Sequence, residues 1–411
     1  MRILYSFGIR LYVLAIHLAS LFNTSAAAWV EGRRNQPIFT GTKKDSWIWF
    51  HAASLGEFEQ GRPVIERFRV DYPNYKILLT FFSPSGYNVR KNYPHADFIT
   101  YLPPDLNFPM TKFISQFNIK AVFFIKYEYW YNLLKILKTN KIPYVFISAI
   151  YRPSQVFFKP YGKWFTKHLN ASSHIFCQDE DSISLLQKIG IKQVTLAGDT
   201  RFDRVIAAIS EKKKIDFVQE FCASNPVVVV GSSWPEDETI ISEIIKEPEL
   251  NFKWILAPHL VDEPHIKQIE ALFDNSKILR YSRINSEVNV VDFQLLIIDS
   301  IGLLLQLYRY ADIAWVGGGF GSGIHNILEP AAYSKPVIFG PRFQKFKEAH
   351  DLVRLGGAFS VNFTAEAKQL LFKFQHDKEF YGKASSVSGR YVLENQGATQ
   401  KIMAFVKDFG L

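Results

Sequence analysis

The chain has 411 residues, of which 48% are hydrophobic and 21% are charged, and its formal net charge is +9. This length is typical of two globular domains, and the positive charge favours anionic partners such as a phosphorylated substrate, nucleic acid or an acidic membrane surface. Two cysteines exclude a disulfide framework and a cysteine-rich zinc site, and the ten histidines show no metal-binding spacing.

The first segment, residues 1–30, is largely apolar and permits two interpretations. A run of alanines at 26–28 follows a short apolar core and resembles a signal-peptidase site, which would export the protein. Alternatively, the segment is an uncleaved helix that anchors in the membrane or lies on it. Arg33 and Arg34 would then hold the downstream chain on the cytoplasmic side. The segment by itself favours neither interpretation.

After residue 45, short runs of β-branched and aromatic residues alternate with amphipathic stretches. This alternation predicts an α/β protein built from parallel sheets with helices on both faces. The pattern breaks within 204–226, around the charged run 211–214, and then restarts. We therefore expect two Rossmann-like lobes joined by a linker inside 204–226. The stretch from Tyr391 onwards is predicted to be helical and to pack back on the first lobe.

Glu57 lies where a predicted strand, 47–50, and a turn, 51–56, lead into a predicted helix. The dipole of that helix favours the ionised form of a carboxylate in its first turn. In an open α/β sheet, the loop after a strand also faces the ligand-binding crevice. Glu57 is therefore a candidate general base for a hydroxyl nucleophile. The alternative is that its carboxylate only complements the helix dipole.

A glycine-rich turn at 317–323 follows another predicted strand and precedes a predicted helix that begins near Asn326. Glycines let the backbone approach an anion, and the free N–H groups at a helix start bind it. The sequence therefore predicts a nucleotide-binding loop, with Glu329 accepting hydrogen bonds from ribose hydroxyls. The alternative is that Asn326 and Glu329 form the N-cap and the capping-box partner of the helix.

Smaller features follow other predicted strands. Residues 231–233 would contact phosphate through hydroxyl and amide groups, and the turn at 299–302 would contact a base. Pro258 and His259 end a further strand. A helix cap, an ordinary turn and a structural histidine are the respective alternatives. Residues 179–181 resemble an Asp-x-Asp metal site, but they are more simply the acidic start of a helix.

These features occur together with other motifs in an order that resembles one family. The chain is similar to the 3-deoxy-D-manno-octulosonic acid (Kdo) transferases, which are membrane-associated glycosyltransferases of the GT-B fold. The similarity is carried by residues 51–57, 81–86, 101–105, 128–130, 198–203, 317–332, 340–342, 346–348 and 395–398. Several distinct motifs in register are more specific than a single glycine-rich loop.

The resemblance implies a domain organisation. It assigns an uncleaved N-terminal membrane anchor, an acceptor-binding lobe, a donor-binding lobe and a C-terminal helix to residues 1–30, 31–210, 220–390 and 391–411, respectively. Both lobes would lie on the cytoplasmic face of the inner membrane. The positive charge would then serve an anionic membrane surface rather than nucleic acid.

The same resemblance implies the reaction. CMP-Kdo would be the donor, and a lipid A precursor, lipid IVA, would be the acceptor. Glu57 would deprotonate the acceptor hydroxyl, which attacks the anomeric carbon of Kdo with inversion as CMP leaves. Arg201, at a position where the family usually has lysine, would stabilise the transition state. CMP would be held by Pro258, His259, Ile301, Gly302, Leu303, Asn326, Ile327, Leu328 and Glu329. No metal or other cofactor is expected, because CMP is a good leaving group and fixed hydrogen-bond donors suffice.

The chain departs from the family pattern at three places. Lys126 replaces a glutamate that the family uses to stabilise the transition state, whereas Glu128 is kept. His259 replaces an arginine, which weakens a phosphate contact. The loop at 319–324 differs in length and composition. These changes leave the fold and the reaction class intact and bear on substrate choice, including the number of Kdo residues added.

Two other functions are alternatives. A GT-B enzyme that uses a UDP-sugar would share both lobes and the helix of Glu329. An exported two-lobed solute-binding protein would explain the alanines at 26–28. The second alternative leaves Glu57 and the basic residues after the apolar segment unexplained.

Overall fold

The computed structural model describes residues 2–210, 214–273, 277–285 and 287–410. The chain divides into two compact units. The first comprises Met1–Arg204 with Gln396–Leu411, and the second comprises Val205–Asn395. Residues 211–213 of the predicted charged linker lie outside the described residues.

The first unit begins with two helices and continues as alternating strands and helices. The elements up to residue 210 are α1 (Arg2–Ala19), α2 (Thr24–Arg34), β1 (Ser46–Ala52), α3 (Leu55–Asp71), β2 (Lys76–Phe81), α4 (Pro84–Arg90), β3 (Phe98–Tyr101), α5 (Asn107–Ile114), β4 (Asn118–Ile125), α6 (Tyr131–Thr139), β5 (Tyr144–Ala149), α7 (Lys163–Leu169), β6 (His174–Cys177), α8 (Glu180–Lys188), β7 (Val194–Leu196) and α9 (Thr200–Ser210). Two short 3₁₀ helices precede α7, at Val156–Phe158 and Pro160–Gly162.

The strands of the first unit form one parallel sheet in the order β3-β2-β1-β4-β5-β6-β7. Strand β1 pairs with β2 on one side and with β4 on the other, so the strand order reverses between β1 and β4. In such doubly wound sheets, ligands bind at this switch point, outside the carboxyl ends of the strands. The predicted α/β lobe is confirmed, and the loops after β1 and β4 are its expected ligand-binding edge.

Side chains alternate between the two faces of the sheet. In β1, Trp47 and Trp49 belong to one apolar cluster, and Ile48 and Phe50 belong to the other. This follows from the two-residue period of a strand, and helices on both sides bury both faces. The first unit therefore has a hydrophobic core on each side of its sheet.

Helix α1 is the only helix in the described part of the chain that is long and apolar enough to cross a membrane. None of its residues is buried, and Leu4, Phe7 and Leu11 are among its exposed side chains. The alanines at 26–28 lie inside α2, whose N-cap Asn23 accepts a hydrogen bond from a backbone N–H. The segment that resembles a signal-peptidase site is thus helical.

Asp105 connects α1 to the start of α6. Its carboxylate accepts hydrogen bonds from the Tyr5 hydroxyl at 2.8 Å and from the backbone N–H groups of Asn132 and Leu133 at 2.9 and 2.8 Å. These two N–H groups have no partner inside α6, because they belong to its first turn. One buried side chain therefore caps α6 and holds α1 against the first unit.

The second unit repeats the alternation of strands and helices. Its elements are α10 (Asp216–Cys222), β8 (Val227–Ser233), α11 (Pro235–Ile244), β9 (Lys253–Pro258), α12 (Glu263–Leu272), β10 (Ile278–Arg280), β11 (Leu295–Ile297), α13 (Leu304–Leu307), β12 (Ile313–Val316), α14 (Leu328–Ala332), β13 (Val337–Phe339), α15 (Lys347–Leu355), β14 (Ala358–Ser360), α16 (Thr364–His376) and α17 (Lys378–Glu394). Short 3₁₀ helices lie at Tyr281–Arg283, Val290–Asp292 and Tyr308–Tyr310.

The second sheet is also parallel, in the order β10-β11-β9-β8-β12-β13-β14. Strand β8 lies between β9 and β12, which makes the loops after β8 and β12 the switch point of this sheet. The chain then returns to the first unit as α18 (Ala398–Asp408), whose Ile402, Met403 and Val406 join one face of the first core.

Candidate functional site

Glu57 lies in the first turn of α3, at the switch point of the first sheet. The backbone N–H of Ser54 donates to Glu57 Oε2 at 3.1 Å, and the backbone N–H of Glu57 faces Ser54 Oγ at 3.5 Å. The two residues therefore form a capping box around the start of α3. The Glu57 carboxylate thus interacts with the start of α3, as predicted. The same interaction places it at the ligand-binding edge of the sheet.

The pKa of the Glu57 carboxyl lies above the ordinary value of a glutamate. Burial is the largest cause, and the charge of Glu128 adds to it. His51 and the backbone N–H groups of the preceding turn act in the opposite direction. The helix dipole alone was expected to favour the ionised form, but burial and the neighbouring carboxylate outweigh it. A raised pKa makes the ionised group a stronger proton acceptor.

A chain of hydrogen bonds links β1 and β2 to the segment after β4. The indole N–H of Trp49 donates to Thr80 Oγ1 at 2.7 Å, and Thr80 Oγ1 lies 2.8 Å from His51 Nδ1. His51 Nε2 lies 2.8 Å from Glu128 Oε2, which also accepts from the indole N–H of Trp130 at 2.6 Å. The sequence analysis includes His51 and Glu128 only as members of two separate motifs, and their pairing was not predicted.

Lys126 follows the last residue of β4. Its φ of 68° lies in the left-handed region, which side chains other than glycine rarely adopt. Its backbone N–H continues the sheet by donating to the carbonyl of Ile147 at 2.9 Å. The side-chain Nζ lies 5.4 Å from the centroid of the Tyr127 ring. The substituted position of the family motif is therefore held in a special backbone conformation at the switch point.

Arg201 lies in the first turn of α9, in the first unit. Its Nε and Nη2 atoms lie 2.8 and 2.7 Å from Asp199 Oδ2. Thr200 directly precedes Arg201, and its hydroxyl donates to the backbone carbonyl of Gln60. Gln60 lies in α3, one turn after Glu57. The structure thus attaches the helix start that bears Arg201 to the helix that bears Glu57.

In the second unit, the glycine-rich turn is hydrogen-bonded to the carboxyl end of β8. The backbone N–H of Gly317 donates to the carbonyl of Gly231 at 2.9 Å. Asp237, which is fully buried in the first turn of α11, accepts from the backbone N–H of Gly318 at 2.8 Å and from the Trp315 indole at 3.1 Å. Burial is the main reason why the pKa of Asp237 is raised, and these N–H groups act against it. Sequence reasoning missed Asp237.

Three aromatic rings stack beside this turn. The Trp234 and His259 rings lie 4.6 Å apart at an angle of 17°, and the His259 and His325 rings lie 4.8 Å apart. The Trp234 indole N–H donates to His325 Nε2 at 3.0 Å, so the proton of a neutral His325 ring is on Nδ1. Burial, and then the charge of His259, lower the pKa of His325. His259 was predicted as a donor contact, whereas the other two rings were missed.

Asn326 and Glu329 are hydrogen-bonded, but the predicted capping box is wrong. Helix α14 begins at Leu328, and its N-cap Ile327 makes no side-chain capping bond. Asn326 Nδ2 donates to Glu329 Oε1 at 3.0 Å, and Asn326 Oδ1 accepts from the Leu328 N–H at 3.1 Å. An asparagine that bonds two residues ahead forms an Asx turn, and this turn delays the helix start.

The remaining predicted donor contacts also follow strands. Pro258 is the last residue of β9, and the turn of Ile301, Gly302 and Leu303 follows β11. Gly302 has a φ of 96°, which glycine adopts without strain, and Ile301 is 87% exposed. Because β11, β9, β8 and β12 are neighbours, the structure brings all predicted donor residues to one edge of the second sheet.

No group of three or more histidine, cysteine, aspartate or glutamate side chains that could hold a metal ion occurs among the described residues. Asp179, in the segment that resembles an Asp-x-Asp site, instead caps α8 by accepting from the Ser182 N–H at 2.7 Å. The simpler prediction of an acidic helix start is confirmed.

Comparison with known sequences finds a family model and several similar proteins. A family model described as "3-Deoxy-D-manno-octulosonic-acid transferase (kdotransferase)" matches residues 28–204. The chain is 29% identical to the 3-deoxy-D-manno-octulosonic acid transferase of Haemophilus influenzae, over 88% of this chain and 87% of the relative. It is 26% identical to the protein of that name from Chlamydophila psittaci, over 80% and 78% of the two chains. It is 27% identical to the protein of that name from Aquifex aeolicus, over 76% of this chain and 80% of the relative.

Comparison with solved structures supports the fold. The chain is similar to the UDP-GlcNAc 2-epimerase of Neisseria meningitidis, with a TM-score of 0.60 and 17% identity, over 89% of this chain and all of that one. A putative UDP-N-acetylglucosamine 2-epimerase from Listeria monocytogenes gives a TM-score of 0.57 at 10% identity, over 89% and 96% of the two chains. At such low identity these similarities show a GT-B-like fold of two parallel sheets.

Proposed function

We propose that this chain, which is similar to 3-deoxy-D-manno-octulosonic acid transferases over most of its length, is a glycosyltransferase that transfers Kdo from CMP-Kdo to a hydroxyl of a lipid A precursor, lipid IVA. The observation that carries the proposal is the position and proton affinity of Glu57. This carboxylate lies at the switch point of the first sheet, and burial raises its pKa. Such a group is suited to accept a proton from an alcohol.

In the proposed step, the acceptor oxygen forms a bond to the anomeric carbon of Kdo while the bond from that carbon to the cytidylate oxygen breaks. The proton of the hydroxyl passes to Glu57, and the electron pair of the broken bond leaves with CMP. Attack from the face opposite the leaving group inverts the anomeric configuration. Arg201 would stabilise the transition state from α9, as fixed cations do in other transfers of charged groups.

The second unit would bind the donor. Backbone N–H groups of the glycine-rich turn would bind the phosphate, other than those of Gly317, Gly318, Gly321 and Gly323, which donate within the protein. Glu329 would accept hydrogen bonds from the ribose hydroxyls. The Ile301–Leu303 turn offers exposed backbone for the cytosine. His259, supported by the ring of Trp234, would take the place of the arginine that the family usually has.

The proposed acceptor and the proposed membrane association are supported by the net charge of the chain and by the apolar surface of α1. Helix α1 exposes apolar side chains along its length, and the chain carries a formal net charge of +9. An anionic, acylated acceptor in the membrane would suit both properties. We therefore place the protein at the cytoplasmic face of the inner membrane, with residues 1–30 as an uncleaved anchor.

The test is transfer from CMP-Kdo to a tetraacyl lipid A precursor by the purified full-length chain, with calorimetric titrations of CMP and UDP. The proposal expects Kdo transfer and a clear preference for CMP. A chain that binds UDP in preference to CMP and transfers no Kdo would instead be a GT-B enzyme for a UDP-sugar. Release of residues 1–28 in the mature protein would contradict the uncleaved anchor.

A further inference from the structure

His51 and Glu128 form a buried pair that the proposed reaction does not use directly. Both are buried, as is Thr80, and they join strands β1 and β2 to the segment after β4. A buried carboxylate and imidazole cost free energy unless hydrogen bonds satisfy them. Apolar residues of the same size would stabilise the fold as well as this buried pair does. Stability alone therefore does not explain why the pair is polar.

The partners fix the direction of the hydrogen bonds that involve the two indole groups and the carboxylate. An indole N–H only donates, so Trp49 donates to Thr80 and Trp130 donates to Glu128. A carboxylate only accepts, so His51 Nε2–H donates to Glu128, while His51 Nδ1 lies 2.8 Å from Thr80 Oγ1 and 3.1 Å from the backbone carbonyl oxygen of Thr80. Glu128 Oε2 thus accepts hydrogen bonds from two sides, from His51 and from Trp130. These two bonds fix the position of the carboxylate.

The ordered charge acts on the proposed base. Glu128 follows β4 and Glu57 follows β1, and these strands are neighbours at the switch point. Glu128 and His51 are charged groups that influence the Glu57 carboxyl, the first by raising its pKa and the second by lowering it. Tyr127, between Lys126 and Glu128, is also close enough to feel the charge of Glu57.

We propose that Glu128, held in place by His51, is a positioning residue that keeps Glu57 a strong proton acceptor. The inference rests on the proposed role of Glu57 as general base. It also gives a reason why Glu128 is kept in this chain although Lys126 replaces the neighbouring acidic residue of the family motif. The negative charge that acts on Glu57 comes from the residue whose carboxylate is held by His51 and Trp130.

The test compares wild type with Glu128→Gln. The amide has nearly the shape of the carboxylate, and its oxygen still accepts from His51 and Trp130, so the fold is expected to persist. The acid limb of the kcat/KM profile, where the rate is lost as pH falls and Glu57 takes up a proton, is expected to move to lower pH. The rate at neutral pH is expected to fall about 10- to 100-fold, as for other groups that orient a reactive side chain.

Asp97→Asn is the matched control. Asp97 is another bonded carboxylate of the first unit, but it accepts from the N–H of Ile77 at the amino end of β2, at the opposite edge of the sheet. This substitution is expected to leave the acid limb in place, whatever its effect on stability. His51→Gln provides a second variant, and loss of the imidazole is expected to move the limb to higher pH.

A readout without catalysis separates this inference from the proposed function. In protein labelled with ¹³C at glutamate carboxyl carbons, the Glu57 signal is assigned by its loss in Glu57→Gln and then titrated by NMR. A downward shift of that titration in Glu128→Gln supports the positioning role, even if wild type transfers no Kdo. An unmoved titration and an unmoved acid limb in an enzyme that does transfer Kdo would overturn the role and leave the proposed function intact.

Discussion

The tight approach between Gly317 and the carboxyl end of β8 gives a sharp test of the donor-binding turn. A methyl group at position 317 would lie 2.3 Å from the carbonyl oxygen of Ser232 and 2.7 Å from Cα of Ser233. Ordinary contact begins at 3.4 Å, so the turn would have to move by 3.4 − 2.3, or about 1.1 Å. Both obstacles belong to the backbone and cannot rotate away. Gly317→Ala must therefore displace the turn from the edge of the second sheet.

Two effects of Gly317→Ala are expected. Overpacking of this kind costs about 1–3 kcal/mol of unfolding free energy. For a unit of this size, that corresponds to a melting temperature lower by about 2–12 °C. Displacement also removes at least one N–H hydrogen bond to the charged phosphate, worth about 1.5–3 kcal/mol, which weakens CMP binding by about 10- to 100-fold. Differential scanning calorimetry and isothermal titration with CMP measure the two effects.

Gly321→Ala, in the same turn, is the control for this experiment. A methyl group at position 321 would meet no atom closer than 3.9 Å. It changes the glycine content of the turn equally but demands no movement. Equal losses of CMP affinity in Gly317→Ala and Gly321→Ala would show that backbone flexibility of the turn decides CMP binding. The close approach of Gly317 to β8 would then not be the cause. An unchanged CMP affinity in Gly317→Ala would also refute this role of the close approach.

Three further predictions concern the chemistry. His259→Arg, which supplies a guanidinium for bidentate phosphate binding, is expected to tighten CMP binding about tenfold, and calorimetry that shows weaker binding would contradict the assigned contact. Arg201→Ala is expected to slow single-turnover Kdo transfer by about 10²–10³-fold while CMP affinity stays unchanged; a loss confined to CMP affinity would reassign Arg201 to donor binding. Treatment with EDTA is expected to leave the transfer rate unchanged, whereas a loss that a divalent cation restores would show that fixed donors do not suffice.

The parts of the structure that depend on local pattern could be predicted from the sequence. Alternating apolar runs identify the strands, and a residue directly after a strand lies at the carboxyl edge of a parallel sheet. For this reason Glu57, His259 and the 317–323 turn were placed at the correct ends of their strands. The confirmed family resemblance has the same basis, because its motifs are concentrated in these loops.

Features that depend on distant contacts could not be predicted. His51 and Glu128 are separated by 77 positions, and Trp234 and His325 by 91, so no spacing rule connects them. The proton affinity of Glu57 was also misjudged, because the helix dipole can be read from sequence but burial cannot. The start of α14 was misplaced for a local reason: an asparagine can cap a helix or form an Asx turn before it, and only the backbone path distinguishes these outcomes.

The proposed reaction depends most on proton removal by Glu57, and the most direct measurement is the rate of Kdo transfer by Glu57→Gln under saturating CMP-Kdo and lipid IVA. The amide keeps the size of the side chain but cannot take up a proton at neutral pH. Transfer is expected to slow by about 10²–10⁴-fold, the usual contribution of a general base, while CMP affinity stays at the wild-type value. A transfer rate close to that of wild type would show that Glu57 is not the general base.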